Sequence, residues 1–575
     1  MLIGYVSNEN YSAIADVIVE FDQDGQRKAQ VRSSPRGAID ADIPPGTYRI
    51  TLAKEGFGSK STIEQVDPAR PLQVRLVSDS LYGYVWPKWI EGGQKGEFRV
   101  HSPKPYHLSL WRYGLKKELA QPIGWFDEHG PRPNLQTLPN GDFTQTGVGW
   151  NRYGYSKKYK ADGTCAEHGT DTIHCTHRCF YQNQLIAAPQ RSGLYYFHAE
   201  TESGDFVSFP WVVAPAKPQA AIAVIASTNT WNAYNNFGGR SNYINSTQLP
   251  PQPTVDARRD LSRFTSDASV WEAPDAEYRP LSFERPEPFN HIPKQTEVTD
   301  PIQGRQPCHL APAEWRLLGW LEREGFDYDF YSDYQLDCGR LNLDAYQILI
   351  ISTHPEYWSR EAYDKVKDWV FNRGGKLMYL GGNGIDCEVE FVNESTMRCK
   401  TWHPRSSASP ILTDPQTGKT FDCRFHFKGE SPAALLGVVF TEAGAATSAP
   451  YRVVDSSHWV FSSTGLKNGD IFGAHSLHER CPGGASGHET DKRTSSSPAN
   501  TMLLARGLNV DGGGAEMIFF ETSGQGAVFS VGSITWPASV LVDAAVSKIT
   551  RNVLERFLGS GQKNVAPSPF PQKSA

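Results

Sequence analysis

Four stretches in the second half of the chain carry side chains that could hold a metal ion or move a proton. The first runs Thr228-Asn229-Thr230-Trp231-Asn232-Ala233-Tyr234, then through a turn-rich loop, Asn235-Asn236-Phe237-Gly238-Gly239, to Tyr243. The second is Thr353-His354-Pro355-Glu356-Tyr357-Trp358-Ser359, and the third is Leu380-Gly381-Gly382-Asn383-Gly384. The fourth, Gly487-His488-Glu489-Thr490-Asp491, lies in a loop-rich segment. A tyrosine with a reference pKa of about 10 loses its proton near neutral pH only to a strong Lewis acid. Ferric iron would do this, and two tyrosinates with one carboxylate would neutralise Fe(III). Pro355 stiffens the second loop, so His354 or Glu356 is set up as a metal ligand or general base. Asn383 would orient substrate or bound water, and Glu489 would swing over the pocket as a general base. Each residue also has an ordinary structural role open to it. Glu356 could pair with an arginine and His354 could cap a strand. Tyr234 could pack its ring and bond its hydroxyl. Asn383 could fill a left-handed turn, and Glu489 could sit in a solvated loop.

The segments before these motifs explain how they could meet. Residues 221–226, 347–352 and 376–380 are apolar runs of the kind that a strand covered on both faces requires. In open α/β sheets, ligands bind outside the carboxyl ends of the strands. Three polar motifs at three such ends therefore share one crevice. Ser359 is a predicted N-cap, with Ala362, Val366, Trp369 and Val370 on one helical stripe behind it and Gly374-Gly375 at its end. That makes a β-α-β crossover, which in one sheet is right-handed. A second helix is predicted over 312–324, from Trp315, Leu318 and Leu321, with Gly325 after it. A strand at 527–531 and a terminal helix near 537–557 close the domain, 219–559. A Gly/Ser/His-rich insertion occupies about 400–500, and the tail at 560–575 is expected to be disordered.

Upstream, residues 1–78 read as a small β-sandwich. Strands are expected at 4–6, 18–21 and 74–77, and the Pro44-Pro45-Gly46 turn leads into strict alternation of Tyr48, Ile50 and Leu52. The Pro-Pro-Gly-Thr-Tyr turn followed by Gly56-Phe57 resembles transthyretin-like and carboxypeptidase-regulatory modules. Residues 79–215 read as a second β-sandwich, with strands around Phe98, Leu108 and Tyr195, long loops at about 124–190, and a linker at Ala214-Pro215-Ala216-Lys217-Pro218. The fold class expected is thus a multidomain α+β chain: two β-sandwich modules followed by an α/β domain.

Composition narrows the function. A 575-residue chain is too long for one core. A net charge of -6 with 21% charged residues does not favour nucleic acid or an acidic membrane as partner. No run approaches 18 apolar residues, so no transmembrane helix is expected, and the first residues run straight into a strand pattern, which points to the cytoplasm. Nine cysteines are mostly scattered. Cys165, Cys175 and Cys179 cluster with His168, His174 and His177, but this spacing fits no named zinc family, and an incidental loop is the plainer reading.

The run Tyr-Gln-Ile-Leu-Ile-Ile-Ser-Thr-His-Pro-Glu-Tyr-Trp-Ser, followed by Gly-Gly-Lys-Leu-Met-Tyr-Leu-Gly-Gly-Asn-Gly, resembles the large subunit of N,N-dimethylformamidase, as does Gly325-Phe326-Asp327-Tyr328-Asp329. The resemblance spans roughly 220–535. It implies a domain like the class I glutamine amidotransferases and a mononuclear iron held by two tyrosinates and a glutamate. Carried over, Glu356 is the carboxylate ligand, Tyr234 the first tyrosine, and Tyr243 or Tyr278 the second. His354 neighbours the metal, Asn383 lies in the pocket, and Glu489 acts in catalysis. The implied reaction is hydrolysis of the C–N bond of a small N-alkyl amide, within walls that include Trp231, Phe237 and Tyr357. The resemblance also implies a small accessory subunit, and a homo-oligomer is compatible with it. Two other readings compete. In one, the sandwiches bind carbohydrate or a partner and the α/β domain is an inactive scaffold. In the other, a Cys nucleophile works as in glutamine amidotransferases, although no Cys stands at a predicted strand-end elbow.

Overall fold

Tyr48, Ile50 and Leu52 alternate along the strand Gly46–Lys54, and all three are buried. The computed structural model describes residues 1–126, 185–242, 280–400 and 411–559, apart from a few loop positions within those ranges. The Cys165, Cys175 and Cys179 cluster with its histidines, Tyr243, Tyr278 and the tail from 560 lie outside the described residues. In the first module a three-stranded sheet (Ala38–Asp40, Leu2–Ser7, Leu72–Arg75) faces a four-stranded one (Gln26–Arg32, Ile18–Gln23, Gly46–Lys54, Gly58–Val66). Ile3, Val6, Val19, Phe21 and Ile50 fill the space between them. The strand expected at 74–77 lies slightly earlier, at Leu72–Arg75.

In the second module the strand Gly193–Thr201 serves two cores at once. Successive side chains of a strand point to opposite faces. Tyr195 and Phe197 pack with Phe98, Leu108 and Trp211 inside the sandwich. Leu194 and Tyr196 point the other way, into the core built around Trp315. The Tyr113 and Trp315 rings pack at a tilt with centroids 4.8 Å apart, and the Trp315 indole donates to Gly114 O at 2.7 Å. Arg112 and Glu322 form a buried ion pair across the same junction. The second sandwich is therefore fastened to the α/β region through a continuous apolar core.

The third region is organised by a nine-stranded sheet. Five strands run parallel, in the spatial order Asp329–Ser332, Ile222–Ala226, Ile348–Thr353, Lys376–Gly381, Ala527–Ser530. Four antiparallel strands continue it: Glu516–Glu521, Met502–Gly507, Tyr451–Val453 and Ile471–Phe472. Ile222–Ala226 and Ile348–Thr353 are buried along their whole length, as a sheet covered on both faces demands. Ser359 caps the helix Arg360–Asn372 by accepting the Ala362 N–H, and that helix buries Ala362, Val366, Trp369 and Val370. The helix Ala311–Glu324 ends at Gly325, whose φ of 79° gives the left-handed cap.

Two expectations need correction. The terminal helix is shorter, Ala544–Leu558, because Asp543 caps it, accepting the Ala545 and Val546 N–H groups. The 400–500 insertion is not only loops: Tyr451–Val453 and Ile471–Phe472 extend the main sheet, pinned by Tyr451 packed on Phe472 and Trp536. No helix among the described residues is long and apolar enough to cross a membrane.

Candidate functional site

Ile222–Ala226, Ile348–Thr353 and Lys376–Gly381 are neighbours in the sheet, so the segments leaving their carboxyl ends must crowd together. The first continues as a short helix, Thr228–Tyr234. Tyr234 thus ends a helix rather than standing in a loop. Two buried carboxyls anchor that helix. Glu314 accepts from Ser227 N at 3.2 Å and from the Trp231 indole at 3.0 Å, and Asp333 accepts from Asn229 N at 2.9 Å. Burial pushes the Glu314 carboxyl up to about 8 and raises Asp333 well above its ordinary value.

The second and third segments lock onto each other. Gly382 N donates to Thr353 O at 3.1 Å, Ile385 N to Pro355 O at 2.8 Å, and Asp386 N and Cys387 N both to Glu356 O at 2.9 Å. Thr353, Asn383 and Ile385 have φ of 62°, 50° and 55°, a conformation that costs most for the β-branched pair. Strain of this kind gathers where structure is held for function. Gly381 and Gly382 have no room for a side chain: a Cβ would lie 2.7 Å from Thr353 O and 2.4 Å from Glu489 O respectively.

Five of the expected site residues converge here. The Tyr234 hydroxyl donates to Glu356 Oε2 at 2.8 Å. His354 Nε2 lies 3.2 Å from Glu356 Oε2 and 3.1 Å from Glu489 Oε2. The Asn383 side-chain amide donates to Glu489 Oε2 at 2.8 Å. His354 and Glu356 are buried, and the Glu489 side chain is 23% exposed. Burial opposes charge on His354, but Glu489 and Glu356 outweigh it and raise its pKa. Burial likewise opposes the Glu489 carboxylate, and His354 outweighs that, holding it well below the usual carboxylate range. Of the three aromatics expected to wall the pocket, Tyr357 sits beside Tyr234, with ring centroids 6.3 Å apart. The Trp231 indole turns to Glu314 and the Phe237 ring packs on Tyr82, so both serve the core.

Several participants were not picked out from the sequence. His309 Nδ1 meets His354 Nδ1 at 2.9 Å, and its ring packs on Tyr234 at 4.7 Å. Burial and the neighbouring imidazoles push its pKa far down, which keeps the ring neutral beside His354. Pro307-Cys308-His309 precedes a helix and follows no strand, so nothing in its spacing marks it. Asp386 and Cys387 come close to Glu356, with ligand-type atoms of all three within 4.8 Å of one another. The Cys387 thiol stays protonated, because burial and Glu356 raise its pKa.

Cys308, His478 and His488 also bring their ligand-type atoms within 4.8 Å. His478 Nδ1 accepts the Cys481 N–H at 2.9 Å, and burial keeps the ring neutral. Its Nε2 faces His488 Nδ1 at 3.2 Å, and the two rings meet edge to face with centroids 5.0 Å apart.

A family described as N,N-dimethylformamidase beta subunit-like, C-terminal, matches residues 144–546. The chain belongs to this family. The N,N-dimethylformamidase beta subunit of Paracoccus aminophilus is 26% identical over 414 residues, covering 62% of this chain and 51% of that protein. The beta subunit from Alcaligenes sp is 25% identical over 475 residues, covering 72% of this chain and 58% of that protein. The chain thus spans somewhat more than half the length of these curated relatives. Among solved structures, a beta-galactosidase from Rahnella sp. R3 aligns over 43% of this chain and 27% of its own, with a TM-score of 0.26 and 11% identity. The family match covers every residue of the Tyr234, His354, Glu356, Asn383 and Glu489 cluster.

Proposed function

We propose that the chain is an iron-dependent amidohydrolase that cleaves the C–N bond of a small N-alkyl amide, releasing a carboxylate and an amine. The observation that carries this reading is the meeting of Tyr234 with Glu356, and of Glu356 with His354 and Glu489, at the carboxyl ends of adjacent parallel strands. The donor set suits a hard trivalent cation. The Tyr234 hydroxyl and Glu356 Oε2 lie 2.8 Å apart, so one cation could take both oxygens in place of the shared proton. Tyr234 and Glu356 would hold the ion, with Tyr243 or Tyr278 as the second tyrosinate. Iron, when bound, supplies a Lewis acid that polarises a carbonyl and acidifies water.

The remaining work falls to the protein's own groups. Glu489 lies beside His354 and is fixed by the Asn383 amide, a placement from which it would take a proton from the attacking water and return it to the departing amine nitrogen. His354 bridges Glu356 and Glu489 and keeps the two carboxylates from repelling each other. Asn383 Oδ1 is buried and receives no hydrogen bond from the described residues, which suits a donor from water or substrate.

The five parallel strands with a crossover helix support the reading of a class I glutamine amidotransferase-like domain. A cytoplasmic location and a small accessory subunit belong to the same reading. The test is an iron assay on purified protein joined to a panel of N-alkyl formamides and acetamides, followed by amine release. About one iron per chain, a tyrosinate charge-transfer colour and amine from several short amides are expected. Colourless, iron-free protein that still releases amine would sink the metal assignment. Iron with no amine from any member would reject the substrate class.

A further inference from the structure

Two residues after Glu489 lies Asp491, fully buried and assigned no role by the chemistry above. Residues i and i+2 of an extended segment project to the same side. Glu489 immediately precedes the strand Thr490–Lys492, and Asp491 sits inside it. Both carboxylates reach the same residue. Glu489 Oε2 takes the Asn383 side-chain amide, and Asp491 Oδ1 takes the Asn383 main-chain N–H, each at 2.8 Å. The second Asp491 oxygen accepts the Tyr379 hydroxyl at 2.6 Å. That hydroxyl in turn accepts the Gly384 N–H at 2.7 Å.

The bonds close a ring. Tyr379 lies on the strand Lys376–Gly381, the turn at 383–384 follows it, and Asp491 joins the two. All of this surrounds a residue whose φ of 50° would relax if released. A relaxed turn would carry the Asn383 amide away from Glu489. Gly384 makes the close approach possible, because a Cβ there would stand 2.7 Å from the Tyr379 oxygen.

We propose that Asp491, braced by Tyr379, is a positioning residue that holds the Asn383 turn left-handed and so aims the Asn383 amide at Glu489. Its effect on rate rests on the amidohydrolase reading, but its effect on geometry does not.

The experiment compares Asp491→Ala, Asp491→Asn and Tyr379→Phe in the full chain, by steady-state kinetics, iron content and crystal structure. Asp491→Ala should keep its iron and its KM while kcat falls about 10–100-fold, the usual cost of losing a supporting partner. Asp491→Asn keeps an oxygen acceptor for the Asn383 N–H and should recover most of that loss. Tyr379→Phe should lose less than Asp491→Ala. The structures should show Asn383 at negative φ, with its amide off Glu489, in the alanine variant. Wild-type kcat in Asp491→Ala, or an unchanged turn in its structure, would overturn the proposal. If that variant does not fold, an unchanged turn and rate in Tyr379→Phe overturn it instead. Wild-type protein that releases no amine rejects the amidohydrolase reading, and the turn geometry still decides the clamp.

Discussion

The phenol of Tyr234 donates to Glu356 Oε2 across 2.8 Å, although 122 residues separate the two in the chain. The contact exists because the strands that deliver them, Ile222–Ala226 and Ile348–Thr353, pair in register. It joins the phenol and the carboxylate on which the metal proposal depends, and it sets the first prediction.

Removing either donor should release iron. Glu356→Ala deletes a carboxylate and leaves tyrosinate alone facing a trivalent ion. Tyr234→Phe removes the phenolate and bleaches any charge-transfer band it supports. Metal analysis with visible spectroscopy reads both. Full iron in Glu356→Ala would show that the His-Pro-Glu loop has been assigned wrongly.

Changes one step away should separate binding from turnover. Glu489→Ala and Asn383→Ala leave Tyr234 and Glu356 intact, so iron should stay near one per chain. Losing a positioned acid or base costs about 10²–10⁴-fold in rate, and Glu489→Ala should fall in that range. Wild-type kcat in Glu489→Ala would remove it from the chemistry.

Gly382 tests how tightly Glu489 is seated. A methyl there would stand 2.4 Å from Glu489 O and 2.7 Å from Ile534 N, both main-chain atoms with little freedom to retreat. Gly382→Ala should destabilise by about 1–3 kcal/mol, as overpacking does, and should lower kcat by displacing Glu489. Thermal melts and kinetics on the same sample check both effects. Unchanged values would mean that this approach is looser than described.

Glu314 should leave a mark on the pH dependence of stability. Burial raises its carboxyl from 4.5 to about 8, so the folded chain keeps a proton that the unfolded chain releases. The contribution is fully present below about pH 4.5 and is lost as pH rises towards 8, at up to about 1.4 kcal/mol per pH unit. Glu314→Gln keeps an oxygen acceptor for Ser227 N and the Trp231 indole, yet has no proton to lose. Its stability relative to wild type should therefore rise between pH 5 and pH 8, as measured by urea unfolding. Parallel pH profiles for the two proteins would contradict this.

The strands that build the site were legible because burial on both faces leaves continuous apolar runs, as at 222–226 and 348–353. The helix Arg360–Asn372 was legible from its cap and stripe. These are local signals, written in consecutive residues. With a known rule for strand ends they were enough to gather Tyr234, His354, Glu356 and Asn383, while Glu489 was picked out as a candidate base from its own segment and not from a strand end. The helical state of Tyr234 was not legible. Asn229 and Asn232 favour turns locally, and the helix is held by Glu314 and Asp333 from 83 and 104 residues away.

Tertiary structure alone decided the rest. His309, Asp491 and Tyr379 carry no motif of their own, since hydrogen bonds between distant segments leave no periodicity in sequence. Which carboxyls stay charged was also undecided until burial and neighbours were fixed. Glu489 faces His354 and ionises readily, whereas Glu314 is buried with neutral donors and keeps its proton. The chain fixes which groups are available; the packing around each one fixes its charge and what it can do.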